Sequence, residues 1–236
     1  MKTGKDKQFS IFEEKNGINF ADKNLLAQAF THRSYINEHK EEGLEHNERL
    51  EFLGDAVLEL VITDYLYRTY PAKNEGELTA YRAALVNTIT LAEVSRELDL
   101  NDFLLMSRGE ARDTGRARTY ILANALEALI GAIYLDQGYD IAQKFIAKNL
   151  FGRTEEIIAE RLWLDPKSFF QEKAQEEFNI TPSYELVSET GPDHNKQFTV
   201  GLLIGKDVVA EGKGHSKQEA EQDAALKGLK TRGWRK

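Results

Sequence analysis

The chain has 236 residues, 41% of them hydrophobic, and a net charge of -8. That is enough to build a sizeable core in one or two domains. Cysteine is absent, which excludes disulfides and thiolate metal sites and suits a reducing, cytoplasmic setting.

The opening MKTGKDKQFS has no apolar targeting core, and no run approaches membrane-spanning length, so no membrane partner is expected. Residues 9–45 read as helices broken by short polar turns; NLLAQAFTHRSYINEH places Leu25, Leu26, Ala29 and Phe30 at helical spacing, followed by His32 and Arg33. Residues 47–69 are helical and end at Tyr70-Pro71. Within them, Glu48, Glu51 and Asp55 stand at i, i+3 and i+7, one narrow stripe of a helix. Leu50, Phe52, Leu53, Val57, Leu60 and Val61 surround the stripe as if built to be buried. A buried anionic row needs a cation, and hard oxygen donors suit Mg²⁺ or Mn²⁺. The plainer alternative is the solvated face of an amphipathic helix.

Residues 77–98 repeat the helical period, and Ser107–Arg118 reads as a flexible loop with four arginines and two glycines. Tyr120–Leu135 is apolar on every face except at Asn124 and Glu127, which lie three apart on one side of a core helix. A buried Glu is paired, protonated or a metal ligand. Packed against the first stripe, this helix would complete a site of four carboxylates and one amide.

Residues 152–165 form a charged stretch ending at Asp165-Pro166, where the periodicity changes. A helix over 166–178 precedes three alternating runs, SYELVSET, KQFTVGLLIG and KDVVAEGKG, and a last helix from Lys217 to about Arg232. The expected architecture is an all-α domain over 9–151, a linker over 152–165, and an α+β domain of order α-β-β-β-α over 166–235. The second domain carries 11 basic and 11 acidic side chains; residues 1–165 carry 20 and 28 and hold the whole acidic excess. Three parts of the second domain could meet one ligand: Gln171, Glu172 and Gln175; His194, Asn195 and Lys196; and Lys213, His215, Ser216 and Lys217 at a helix start. Lysines and free N–H groups suit phosphate, and uncharged hydrogen-bonding side chains suit 2′-hydroxyls. Ordinary capping and solvated turns would explain any one part alone.

HNERLEFLGDAVLEL resembles the signature of bacterial ribonuclease III, and ILANALEALIGA resembles that family's second acidic helix. Residues 166–230 resemble a double-stranded-RNA-binding domain through the Gln171-Glu172 pair, GPDHNKQF and GKGHSKQEAEQDAA. The resemblance implies a homodimeric, Mg²⁺-dependent endonuclease of double-stranded RNA with no small-molecule cofactor, leaving 5′-phosphate and 3′-hydroxyl ends with short 3′ overhangs. It implies Glu51, Asp55 and Glu127 as metal ligands, with Asn124 at a fourth ligand position, and Glu48, Asp55 and Glu127 as the catalytic acids. It further implies RNA contacts from Gln171, Glu172, Gln175, His194, Lys196, Lys213, Ser216 and Lys217.

Two departures stand out. The family usually has Asp at Asn124, and an amide brings no charge and cannot bridge two ions. A basic pair usually follows the serine, whereas this chain has Lys217-Gln218-Glu219, which predicts a shallower salt dependence. The first departure leaves open a duplex-RNA binder with little or no catalysis. A phosphohydrolase of small nucleotides is a third reading, against which the second domain speaks.

Overall fold

The computed structural model describes residues 4–40, 43–112, 114–192 and 196–235. The chain divides into two compact units, Met1–Ile157 and Ile158–Lys236.

The first unit is helical. Its elements are α1 (Gly4–Asn16), α2 (Lys23–Ala29), α3 (Arg33–Glu38), α4 (Glu48–Thr69), α5 (Glu75–Leu85), α6 (Thr88–Glu97), α7 (Arg108–Arg112), α8 (Arg116–Gln137), α9 (Tyr139–Leu150) and α10 (Thr154–Ala159). Among the described residues its only strand-like pairing is an isolated bridge between Thr31 and Leu105. The central element is α8, which buries ten residues between Leu122 and Ile133. Nothing polar interrupts that stretch except Asn124 and Glu127, so neighbours pack on all sides. Helix α6 is tied to it by Ser95, whose hydroxyl donates to Leu91 O and Leu122 O. Phe9, Phe12, Phe30 and Phe103 form a stacked and edge-to-face cluster at one end.

Helix α4 packs on α8 at backbone contact. A Cβ on Gly54 would sit 1.7 Å from Glu127 O, and one on Gly131 would sit 2.2 Å from Leu50 O. Glycine inside a helix costs about 1 kcal/mol relative to alanine. Here it is retained because no side chain fits between the two helices.

Several expectations need correction. The helical period over 77–98 is split, because the Asn87 side chain accepts from Thr90 N and starts a new helix. Residues 107–118 are not a free loop: they include α7 and the start of α8. Arg118 ties them down by donating to Glu110 O and Ala111 O. Phe52 and Leu60 are not buried; Phe52 is 81% exposed. Helix α8 is long and apolar enough to cross a membrane by length and composition, contrary to the reading that no run approaches that length. More than half of that stretch is buried within the protein, the pattern of a core helix.

The stretch 152–165 carries a 3₁₀ turn (Phe151–Arg153) and α10, with Thr154 and Ile157 buried.

The second unit contains α11 (Pro166–Phe178), β1 (Ser183–Thr190), β2 (Gln197–Ile204), β3 (Asp207–Gly214) and α12 (Lys217–Thr231). This is the expected α+β order, α-β-β-β-α. The sheet is antiparallel in the order β1-β2-β3. Asp165 caps α11 through Ser168 N, with Pro166 in the first turn, where a missing N–H is harmless. Phe169, Phe170 and Ala174 of α11 meet Leu202 and Ile204 of β2 and Ala224, Ala225 and Leu229 of α12 in one core. Both helices therefore lie on the same face of the sheet.

Candidate active site

Glu48 and Glu51 occupy the first turn of α4, where the positive end of the helix dipole favours carboxylates. Asn47, which precedes the helix, is buried and anchored through its Nδ2 to Ala29 O, with its backbone N donating to Thr31 O. The start of the acidic stripe is thus fixed to the α2–α3 connection.

Glu48 is exposed; Arg33 Nη1 lies 3.4 Å from one of its oxygens, and His46 Nδ1 lies 3.6 Å from the other, beyond hydrogen-bond reach. Glu51 is half-buried and accepts a hydrogen bond from the Asn124 amide. Burial raises its carboxyl above the usual carboxylate range. The charge of Glu48 and, less strongly, that of Asp55 add to this, while the Asn124 bond opposes them. Glu127 is pushed further, to about 8, by burial first and then by the charges of Asp55 and Glu51. Asp55 sits beside Gly54 on the exposed side of the crossing. The structure therefore brings Glu48, Glu51, Asp55, Asn124 and Glu127 into one electrostatically coupled cluster. Glu48, Glu51 and Asn124 line a cavity of about 810 Å³ with His32, Arg33, Glu110 and Tyr120. Asp55 and Glu127 reach the cluster from outside that lining.

Among the described residues, no three His, Asp or Glu side chains are gathered closely enough to hold an ion as they stand. Glu48 is turned to Arg33, and Glu51 to Asn124. The donor set nonetheless fits a hard divalent cation. It is all oxygen, and among the described residues no basic side chain pairs with the Glu127 carboxylate. A buried acid with two acidic neighbours and no base is stabilised by a cation or by a proton.

Stability of the metal-free protein should therefore fall as pH rises. Below about 4.5 Glu127 is protonated whether the chain is folded or not. Between about 4.5 and about 8 the unfolded chain loses the proton and the folded chain keeps it, so unfolding gains with each pH unit. Thermal melts in chelator should show the midpoint dropping across that window. Glu127→Gln should flatten the drop, and Mg²⁺ should reverse it above pH 8.

In the second unit, Ser216 caps α12, its Oγ accepting from Glu219 N. Lys196 O meets His215 Nδ1 at 3.2 Å, which joins the start of β2 to the turn between Lys213, near the end of β3, and Ser216 and Lys217 at the start of α12. Lys213 and Lys217 are exposed, whereas Lys196 is paired with Glu189 at 2.6 Å. Gln171, Glu172 and Gln175 are exposed on α11. Glu172 pairs with Arg161, and Gln175 donates to Asn179 at its own helix end. His194 and Asn195 lie outside the described residues.

Sequence reasoning passed over Arg33, Glu110 and Tyr120, whose places on the cavity depend on long-range packing. It also passed over Gly54 and Gly131. There a signal was available: glycine inside two strongly helical, apolar runs asks for a packing reason.

A helical unit with this acid cluster, followed by an α-β-β-β-α unit, is the class of a nuclease-type domain joined to a duplex-RNA reader. Residues 22–154 match the family model described as ribonuclease-III-like, and residues 166–231 match the double-stranded RNA binding motif. The chain belongs to the ribonuclease III family. It is 47% identical to Ribonuclease 3 of Desulforamulus reducens over 93% of this chain and 89% of that protein. It is 48% identical to Ribonuclease 3 of Carboxydothermus hydrogenoformans over 95% and 96%. The nuclease domain of ribonuclease III from Campylobacter jejuni superposes with a TM-score of 0.54 at 43% identity, over 61% of this chain and 96% of that domain.

Proposed function

We propose that this chain is an endoribonuclease that hydrolyses phosphodiester bonds of double-stranded RNA with Mg²⁺, for which Mn²⁺ can substitute. The observation that carries the reading is the coupling of Glu51 and Asp55 on α4 to Asn124 and Glu127 on α8, in a chain that also holds a double-stranded RNA binding motif. The names of its relatives, Ribonuclease 3, support it. Glu51, Asp55, Asn124 and Glu127 are assigned as metal ligands, and Glu48, Asp55 and Glu127 as the acids of the reaction. A divalent ion here would supply Lewis acidity and a water of lowered pKa. The carboxylates would hold it in place, and Glu127 would release its proton to water as the ion binds. The second unit binds the duplex through Lys213, Ser216 and Lys217, with Gln171, Glu172 and Gln175 offered to 2′-hydroxyls and His194 and Lys196 to the backbone. The products are 5′-phosphate and 3′-hydroxyl ends with short 3′ overhangs, and the substrates are structured RNAs such as ribosomal precursors.

The protein acts as a homodimer. A Campylobacter jejuni ribonuclease III nuclease-domain structure is described by a region involved in dimer formation. Here Phe52 is 81% and Leu135 53% exposed, beside a cavity of about 600 Å³ lined by Leu25, Leu50 and Leu53. An aromatic ring left in water next to an apolar hollow suits a second copy.

Long duplex RNA incubated with the protein and Mg²⁺ should give short fragments; no products with either ion would sink the reading. A second reading, a duplex-RNA binder without catalysis, is favoured by Asn124 alone. Asn124→Asp separates the two. Without metal the substitution removes the bond to Glu51 and adds a negative charge. With metal it adds a charged ligand. For an active enzyme it should lower the Mg²⁺ concentration for half-maximal cutting by on the order of tenfold, about 1.4 kcal/mol. For a binder it should create cutting where the wild-type chain shows none.

A further inference from the structure

The cavity beside the acid cluster has a charge problem. Glu48, Glu51 and Glu110 all line it, and Arg33 is the one Lys or Arg among the described residues that does. His32 does not help: burial holds its pKa below the ordinary histidine value, and its Nδ1 is engaged with Ser34. Arg118 is turned to Met106 Sδ and the Glu110 and Ala111 carbonyls. Arg116 lies over the Tyr120 ring, with its guanidinium carbon 5.8 Å from the centroid. A polyanion entering this cavity would meet three carboxylates and one arginine.

Arg33 is poorly committed to its present partner. Its Nη1 lies 3.4 Å from Glu48 Oε1, a long, single contact, and its side chain is 71% exposed. Exposed ion pairs of this kind contribute little. A phosphodiester offers two anionic oxygens that a guanidinium fork can take together.

We propose that Arg33 is a substrate-binding residue that leaves Glu48 to hold an RNA backbone phosphate next to the bond being cut. The inference rests on the duplex-RNA nuclease reading and deepens it. Glu48 then has a second role: it parks Arg33 while the cavity is empty. It follows that removing the Glu48 charge strengthens binding through Arg33 even as it harms cutting.

Two measurements on the full chain test this. In steady-state cleavage of a duplex RNA, Arg33→Ala should raise KM on the order of tenfold with kcat within about twofold. It should also reduce the slope of log KM against log salt by about 0.9, one phosphate contact. Arg33→Lys should keep most of that slope. A fall in kcat with KM and slope unchanged would mean that Arg33 only orients Glu48, and would overturn the proposal, as would no change at all. In equilibrium binding of the same duplex to Glu127→Gln protein, adding Glu48→Gln should tighten binding several-fold, and further adding Arg33→Ala should cancel the gain. Equal tightening with and without Arg33 would overturn the proposal. If the wild-type chain cuts no duplex RNA, the nuclease reading falls, while the binding arm still decides the role of Arg33.

Discussion

Glu127→Gln should abolish cutting of duplex RNA by the full chain, by a factor on the order of a thousand or more, while leaving duplex binding within about twofold. The expectation follows from what the carboxylate does in each state. Without a cation, Glu127 is half-buried beside Asp55 and Glu51, and its pKa is pushed up to about 8. Its neighbours thus already disfavour its charged form. On the proposed reading a divalent ion would invert that local logic: Glu51, Asp55 and Glu127 would hold it, and Glu127 would release its proton to water. Gln keeps the shape and one carbonyl oxygen but cannot ionise. The loss of one anionic ligand is worth several kcal/mol of transition-state stabilisation, and each 1.36 kcal/mol is tenfold in rate. Binding is spared because the RNA-binding motif spans residues 166–231 and Glu127 lies in the other unit. Single-turnover cleavage and a mobility-shift titration on the same preparation check both halves. Full cutting by Glu127→Gln would remove this residue from the reaction. Loss of binding together with cutting would point to a folding defect, which the melting temperature in chelator would expose.

How far the site could be read from sequence depended on the range of the interaction. The stripe of Glu48, Glu51 and Asp55 is local, since 3.6 residues per turn place it on one side of α4 whatever α4 packs against. The same holds for Asn124 and Glu127 on α8, and for the alternation that marks β1, β2 and β3. The break at Asn87 was hidden because the apolar period runs through it, and what marks it is the side chain's bond to Thr90 N, which starts a new helix. Residues 107–118 looked loose for the opposite reason: their order comes from Arg118, whose partners are backbone carbonyls that composition cannot register. Phe52 and Leu60 read as core because apolar residues usually are, yet they face outward on the single chain. Arg33 was read only as a residue following the helical run of Leu25, Leu26, Ala29 and Phe30. Its pairing with Glu48, fifteen residues away, belongs to tertiary structure.

The second large effect is expected at a residue that carries no charge at all. Gly54→Ala should lower the melting temperature by about 10 °C and cripple cutting, although alanine is the better helix former. A Cβ at this position would lie 1.7 Å from Glu127 O, 2.6 Å from Glu127 C and 2.8 Å from Gly131 N. All three are backbone atoms, so no side chain can turn aside, and α4 and α8 must move apart by more than 1 Å to restore ordinary contact distances of 3.4 Å or more. Overpacking a tight core costs about 1–3 kcal/mol, occasionally more. A clash against two rigid helices belongs at the upper end, about 3 kcal/mol, and for a domain of 150–250 residues each kcal/mol shifts the midpoint by about 2–4 °C. The same displacement moves Asp55, the next residue, away from Glu127, and a misplacement of about 1 Å can cost a hundredfold in rate. Gly152→Ala is the matched control, since a Cβ there meets nothing within 4 Å and the residue does not need a positive φ. Calorimetry or thermal circular dichroism on both variants, with cleavage measured well below the lower midpoint, separates lost folding from lost alignment. If Gly54→Ala melts with the wild type and cuts as fast, the two helices tolerate separation at this crossing. The acid cluster would then owe its geometry to something other than the contact between the α4 and α8 backbones.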